Sequence, residues 1–132
     1  MSNSENVKYF DLHTTGLGYL NRVREVTPKE GNSFWSVSIA ALRGSVDDVQ
    51  YTHFECRVSG QQAQQLVRQL KPAVEGKLKV LVGFTLSDLF AEAFTFKNGD
   101  KAGETGVGLK ARLLRISWAK VDGQPFYTEQ AA

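Results

Sequence analysis

The sequence contains few of the residues that small domains use for disulfide bonds or structural metal sites. Its 132 residues include one cysteine, Cys56, two histidines and three prolines. A single thiol excludes an internal disulfide, and with only two histidines beside it the chain cannot form a structural zinc site of the Cys/His type. A chain of this length buries about two-thirds of the surface that it exposes when unfolded, so it needs no disulfide or metal site for stability. We expect no cofactor and no bound metal.

Long apolar runs are also lacking. No stretch approaches the roughly 20 apolar residues that a membrane helix needs, and the first residues have neither the basic part nor the continuous apolar part of a secretory signal. We therefore expect a cytoplasmic protein without a membrane partner. The composition also predicts a disordered segment at 1–12, a single domain at 13–128 and a frayed end at 129–132.

The chain has no large excess of positive or negative charge, but its charged residues are unevenly distributed. The net charge is +2, from 16 Lys and Arg against 14 Asp and Glu. Residues 1–56 carry five basic and seven acidic side chains, residues 57–120 carry eleven and five, and residues 121–132 carry none and two. A basic middle can form a patch of positive potential in the fold, although scattered, solvated lysines explain the same numbers.

Alternation of apolar and polar residues predicts a fold made mostly of strands. Over 34–42 a period of two places Trp35, Val37 and Ile39 on one face. Breaks in the alternation predict bulges in the first and last long strands, and Asp122-Gly123 has the composition of a hairpin turn. The expected strands lie at 16–26, 34–42, 49–58, 77–85 and 109–121, with an extended segment at 87–96 and a short strand at 124–127.

One segment has helical periodicity instead. Apolar residues recur at helical spacing over 61–73, with Ser59 as the expected N-cap and Pro72 near the expected end. In the strand that follows, we expect Leu78 to face the core. The glycine-rich segment 97–108 has no apolar run and predicts a mobile loop.

The order of these elements is informative about the fold. Three strands, one helix and two further long strands predict an all-β, five-stranded Greek-key barrel of the OB-fold type, with the α-helix between strands 3 and 4. Barrels of the SH3 type lack a helix of three turns at this place, and sandwiches have more and shorter strands.

Five stretches within residues 16–123 also resemble a known family: GYLNRVREV, FWSVSIAALRG, YTHFECRVSGQQAQQL, KVLVGFTLSDL and KARLLRISWAKVDG. They resemble bacterial single-stranded-DNA-binding proteins, and more closely the small replication proteins encoded on integrating conjugative elements. Proteins of the bacterial type typically carry a glycine-rich linker and an acidic tail ending in Phe. Because this chain stops at FYTEQAA, tail-mediated recruitment of replication enzymes is not expected.

The resemblance implies a function as well as a fold. We expect a non-enzymatic protein that binds single-stranded DNA with little sequence preference during replication or transfer of a mobile element, as a homo-oligomer such as a dimer or tetramer. RNA stays open as a ligand, because stacking on a base does not read the sugar. The alternative is an interaction or oligomerisation module of a replication complex that does not bind DNA itself.

OB barrels bind single strands with a cationic groove for the phosphates and with aromatic rings for the unpaired bases. Both kinds of residue are interleaved along the chain. The predicted nucleic-acid-binding residues are Arg22, Arg24, Phe34, Trp35, Arg43, Tyr51, His53, Arg57, Lys77, Lys79, Phe94, Phe96, Arg112, Arg115 and Trp118.

Each of these residues also has a structural interpretation. Trp35 shares a face with apolar residues and can belong to the core, whereas Phe34 and Tyr51 lie on the opposite faces and are better stacking candidates. Phe94 and Phe96 can pack across a subunit interface. The arginines can be solvated or paired with surface carboxylates.

Signals for catalysis are weak. The segment GETGVGLK does not have the spacing of a phosphate-binding loop and precedes a strand. Cys56 shares an inward face with apolar neighbours, which favours a buried thiol over a nucleophile. His13 and His53 are in no metal-binding spacing. We expect no enzymatic activity and no metal site.

Overall fold

The structure is a computed structural model, and it describes residues 10–128. The predicted disordered segment 1–12 falls outside the described residues for positions 1–9, and the predicted frayed end at 129–132 falls outside them entirely. The elements are β1 (His13–Val26), β2 (Phe34–Ser45), β3 (Asp48–Val58), α1 (Gln61–Glu75), β4 (Val80–Thr95), β5 (Thr105–Val121) and β6 (Gln124–Thr128).

Five of the strands close into a mixed barrel. β1 pairs antiparallel with both β2 and β4, β2 pairs with β3, and β4 pairs with β5. A parallel ladder between β3 and β5 completes the ring, and β6 adds to the outer end of β5. The predicted fold class is confirmed: the chain forms a closed five-stranded barrel with one helix between β3 and β4, consistent with an OB-like fold.

Alternating side chains fill the inside of the barrel. Val37 and Ile39 of β2 face Cys56 and Phe54 of β3, as the period of two predicted, and all four are buried. The ring of Phe54 meets that of Phe84 edge-on, with 6.4 Å between centroids. Side chains of opposite parity on the same strands point outward, which gives β1, β2, β3 and β5 a continuous outer face.

Both predicted bulges are present. In β1 the register with β2 shifts between Asn21 and Arg24, and Arg22 has a left-handed backbone with φ of 47°. In β5 the register with β4 shifts on passing Leu114 and Ser117. Such bulges bend long strands and let five of them close a small barrel.

The helix differs from its prediction at both ends. Its N-cap is Gly60, with no side-chain cap bond, and not Ser59. A Cβ at Gly60 would collide with the carbonyl oxygen of Leu114, so a close approach of two backbones determines this position. Pro72 lies within the last turn and does not end the helix, which continues to Glu75. The helix is fixed to β5 by Gln62, whose Nε2 donates to the Ile116 carbonyl at 2.8 Å.

The strand predicted at 77–85 begins later and extends further. β4 starts at Val80, and Leu78 is 45% exposed, so the expected inward position of Leu78 is wrong. The segment 87–96 is extended, as predicted, and continues β4. Residues 105–108, predicted as loop, belong to β5.

β4 and β5 continue together beyond the ring of the barrel. Residues 90–95 pair with 105–110, past Ser87, where the pairing of β1 with β4 ends. We call this segment, with its connecting loop 96–104, the hairpin arm. Within residues 10–128, no helix is long and apolar enough to cross a membrane.

Candidate functional site

The outer face of the barrel carries a row of paired residues across four strands, and three of the four are arginines. Arg24 of β1 pairs with Ser36 of β2, Ser36 with Arg57 of β3, and Arg57 with Arg112 of β5. Cross-strand partners lie about 5 Å apart at their Cα atoms, so this row crosses the face as one line. Three arginines are thereby brought together from separate parts of the sequence.

This row lies in a groove of about 340 Å³. We call it the β-face groove, and its lining includes Arg24, Phe34, Ser36, Glu55, Arg57, Asp88, Phe90, Lys110 and Arg112. Four of the lining side chains are cationic and two are carboxylates, so the groove has an excess of two positive charges. Two aromatic rings lie in the same groove, and that combination suits a polyanion with planar groups.

The central contact of the β-face groove joins Arg57 to Phe34. The guanidinium carbon of Arg57 lies 4.1 Å from the centroid of the Phe34 ring. A guanidinium over a ring is attracted by the ring quadrupole, and it can also stack on a base or bind phosphate oxygens with its donors.

The two carboxylates are held by neighbours. Glu55 accepts a hydrogen bond of 2.5 Å from the Ser38 hydroxyl, and its other oxygen lies 4.0 Å from a guanidinium nitrogen of Arg22. Asp88 lies 3.5 Å from Nε of Arg112. Asp88 also has a left-handed φ of 57°, in the segment where the β4–β5 register shifts. A polyanion in the groove would have to compete with Asp88 for Arg112.

A second concavity lies where α1 ends and β4 approaches β1. It has a volume of about 550 Å³. We call it the helix-end cleft, and its polar and aromatic lining residues are Tyr19, Asn21, Arg22, Tyr51, Lys77 and Lys79. Four predicted binding residues meet here, and Tyr51 is 47% exposed, as its outward face predicts.

A family model described as "Protein of unknown function (DUF3577)" matches residues 3–132. The chain belongs to this family. No curated protein and no solved structure gave a match.

Two further predicted residues of this DUF3577 protein lie on the hairpin arm. The rings of Phe94 and Phe96 meet edge-on at 4.9 Å, and Nζ of Lys101 lies 5.6 Å from the Phe96 centroid. Both rings press on Gly106, where a Cβ would lie 2.7 Å from Phe94. They therefore form one cluster on the arm, separate from the lining of both concavities.

The remaining predicted residues are dispersed over the DUF3577 barrel. Trp35 packs against the core, as its alternative interpretation stated. Arg43 donates from Nε to the Thr52 hydroxyl at 2.8 Å, near the β2–β3 turn. Trp118 lies over Gly83 on the outer side of β4 and β5.

His53 and Arg115 are exposed but line neither concavity. His53 pairs with Ala40 on the outer face. Arg115 pairs with Thr85 in the β4–β5 ladder.

Four charged or aromatic residues of the β-face groove were absent from the predicted set: Glu55, Asp88, Phe90 and Lys110. Lys110 was recognisable, because it alternates with Ala111 and shares the parity of Arg112. Asp88 was not recognisable from the sequence, because its position depends on a register shift in β4 that no sequence pattern predicts.

The single thiol of this DUF3577 chain lies behind the groove. Cys56 is 1% exposed, and burial, with a smaller contribution from the nearby charge of Glu55, raises the pKa of its thiol from 9.0 to about 12. A thiol that stays protonated at neutral pH is a poor nucleophile. Among residues 10–128 no group of three or more His, Cys, Asp and Glu side chains is placed to hold a metal ion.

Proposed function

We propose that this DUF3577 protein binds single-stranded DNA in the β-face groove, with little sequence preference and without catalysing a reaction. The observation that carries the proposal is the row from Arg24 through Arg57 to Arg112, with Phe34 stacked against its central arginine. Arginines spaced along a groove match phosphates, and a ring beside them matches an unpaired base. Duplex DNA keeps its bases stacked on each other, so the ring favours a single strand.

Low sequence preference follows from the same chemistry. Every base has a π-face, and neither a guanidinium nor a phenyl ring distinguishes one base from another strongly. The proposed setting, in replication or transfer of a mobile element, rests on the family resemblance alone. RNA is the competing ligand.

The test is a titration of labelled oligothymidine by fluorescence anisotropy across a series of salt concentrations. Affinity is expected to fall steeply with salt, because neutralised phosphates release counterions. Arg57→Gln is expected to lower the slope of log K against log salt by about 0.7, the value for one phosphate contact on a single strand. Arg68→Gln is the matched control, since Arg68 is an exposed arginine on α1 that does not line the groove.

Three results would count against the proposal. The first is no binding at low salt, the second is binding that is indifferent to salt, and the third is an equal effect of Arg57→Gln and Arg68→Gln. Parallel titrations with duplex DNA and with oligouridine assign the ligand class, and the proposal requires single-stranded DNA to bind more tightly than duplex DNA.

A second candidate function is favoured by the hairpin arm. Phe94 is 45% exposed and Val107 is 67% exposed, and exposed apolar side chains on a protruding hairpin are typical of assembly surfaces. In this alternative the barrel does not bind DNA itself, and it forms a homo-oligomer, a dimer or tetramer, or docks on a replication protein. It would be favoured if the wild-type protein does not bind oligothymidine and a Phe94→Ser, Val107→Ser variant lowers the mass measured by light scattering.

A further inference from the structure

Two cationic residues of the helix-end cleft hold backbone conformations that favour glycine. Arg22 has φ of 47° within the β1 bulge, and Lys77 has φ of 67° directly after α1. The left-handed region is unfavourable for residues with a Cβ, and long side chains occupy it rarely. Residues held in such conformations concentrate at functional sites.

The conformation of Lys77 has a clear structural origin. Its backbone N–H donates to the Val74 carbonyl at 3.1 Å, and the N–H of Leu78 donates to the Ala73 carbonyl at 3.0 Å. This pair of bonds is the Schellman ending of a helix, in which the left-handed residue is usually glycine. Here Gly76 lies one position earlier, with φ of −78°, and a lysine occupies the left-handed position. The fold thus holds a strained residue with a cationic side chain in the lining of the cleft.

The charge of the helix-end cleft is of one sign. Arg22, Lys77 and Lys79 line it together with two tyrosines, and no carboxylate is among its lining residues. Lys79 is fixed through its backbone, because its N–H donates to a carboxylate oxygen of Asp122 at 2.9 Å. Glu55, outside the lining, competes for Arg22, but Lys77 and Lys79 beside the phenol rings fit a phosphate attached to a planar base.

The cleft also adjoins the β-face groove. Arg22 lines the cleft and Glu55 lines the groove, and their side chains are 4.0 Å apart. We propose that the helix-end cleft is a second nucleotide subsite, which takes the phosphate and base of the same strand as it leaves the β-face groove. This inference rests on the proposed function, and it adds a path for the strand and specific residues for its second half.

The test compares two lengths of oligothymidine. One, of about 5 nucleotides, is near the shortest site that an OB barrel covers, and the other, of about 20 nucleotides, is longer than the site of one barrel. Lys77→Gly removes the charge and supplies the residue that the left-handed position prefers. It is expected to keep or raise the melting temperature, to weaken the long oligonucleotide about tenfold, and to leave the short one unchanged. Lys79→Gln is a second variant, at a residue without a left-handed backbone, and Arg68→Gln is the matched surface control.

The outcomes separate the two proposals. If neither oligonucleotide binds the wild-type protein, the proposed function fails. A different result overturns only the cleft inference: both oligonucleotides bind and Arg57→Gln weakens both, but neither Lys77→Gly nor Lys79→Gln weakens binding of the long one. Equal weakening of both lengths by the cleft variants also overturns the proposed path.

Free nucleotide is the other source of the same chemistry. Thymidine 5′-phosphate in large excess is expected to leave the affinity for the long oligonucleotide unchanged, since one phosphate and one base lack the contacts of the groove. If the nucleotide binds by itself and Lys77→Gly abolishes that binding, the cleft is a small-molecule site and the strand path is wrong.

Discussion

The guanidinium of Arg57 lies over the ring of Phe34, at 4.1 Å from the centroid, on neighbouring strands of the outer face. One face of the ring is therefore covered by a cation. Under the proposed function, a base in the groove would stack on the guanidinium or displace it from the phenyl ring.

We predict that Phe34→Leu weakens binding of oligothymidine by about 1–3 kcal/mol, the usual contribution of one stacked ring. Anisotropy titration measures the effect. Phe126→Leu is the control, because Phe126 is 46% exposed on β6 and outside the β-face groove. Equal losses in both variants would indicate a general effect of surface apolarity and would remove Phe34 from the site.

Asp88 is predicted to limit the affinity of the groove. Asp88→Asn removes a carboxylate beside Arg112, and asparagine is among the residues that best tolerate a left-handed backbone. Binding is expected to tighten about two- to fivefold at low salt, the scale of a surface charge interaction. Asp47→Asn, in the β2–β3 turn, changes the net charge equally and is expected to have a smaller effect. Unchanged or weaker binding by Asp88→Asn would contradict the proposed site.

The start of α1 gives a stability prediction that reverses the usual rule for helix caps. Serine normally caps a helix better than glycine, but a Cβ at Gly60 collides with the Leu114 carbonyl. Gly60→Ser is expected to destabilise the fold by about 1–3 kcal/mol, as overpacking does. Ser59→Ala is expected to stay within about 0.5 kcal/mol of wild type, because the Ser59 side chain makes no cap bond. Urea unfolding distinguishes the two, and a stabilising Gly60→Ser would show that the two backbones can separate.

Cys56 predicts a dependence of stability on alkaline pH. The folded thiol has a pKa of about 12 and an exposed one 9.0, so between these values the unfolded chain has lost a proton that the folded chain keeps. The contribution of the Cys56 thiol to the free energy of unfolding is therefore fully present below pH 9.0. It falls as the pH rises toward 12, by at most about 1.4 kcal/mol per pH unit. The difference between wild type and Cys56→Ala in urea unfolding should shrink over this interval. A difference that stays constant would mean that the thiol ionises equally in both states.

Much of the fold was predictable because its signals are local. The period of two identified β2 and β3, the helical spacing identified α1, and the breaks in alternation identified the bulges of β1 and β5. Two of the errors lie at the ends of α1, and the first of them depends on a tertiary contact. Gly60 displaced Ser59 as the cap because of Leu114, and the Schellman ending of α1 turned Leu78 outward.

The candidate site was less predictable than the fold. Residue types and outward parity identified Phe34, Tyr51 and Arg57, but which arginines meet depends on the register of four strands. Arg24, Arg57 and Arg112 form one row only because β3 and β5 pair in parallel, and no local pattern encodes that pairing. Trp35, by contrast, is among the predicted binding residues because its ring can stack on a base, although its position in the strand alternation places it with the core.

The parallel ladder also constrains how the molecule assembles. Phe54 pairs with Leu109, so the partners that seal the ring are 55 positions apart along the chain. A nascent polypeptide on the ribosome can form the β1–β2–β3 meander early, but it stays an open sheet until its last long strand has been made. Folding is accordingly expected on the millisecond-to-second scale of barrels with distant pairings, and the arginine row exists only once that final step is complete.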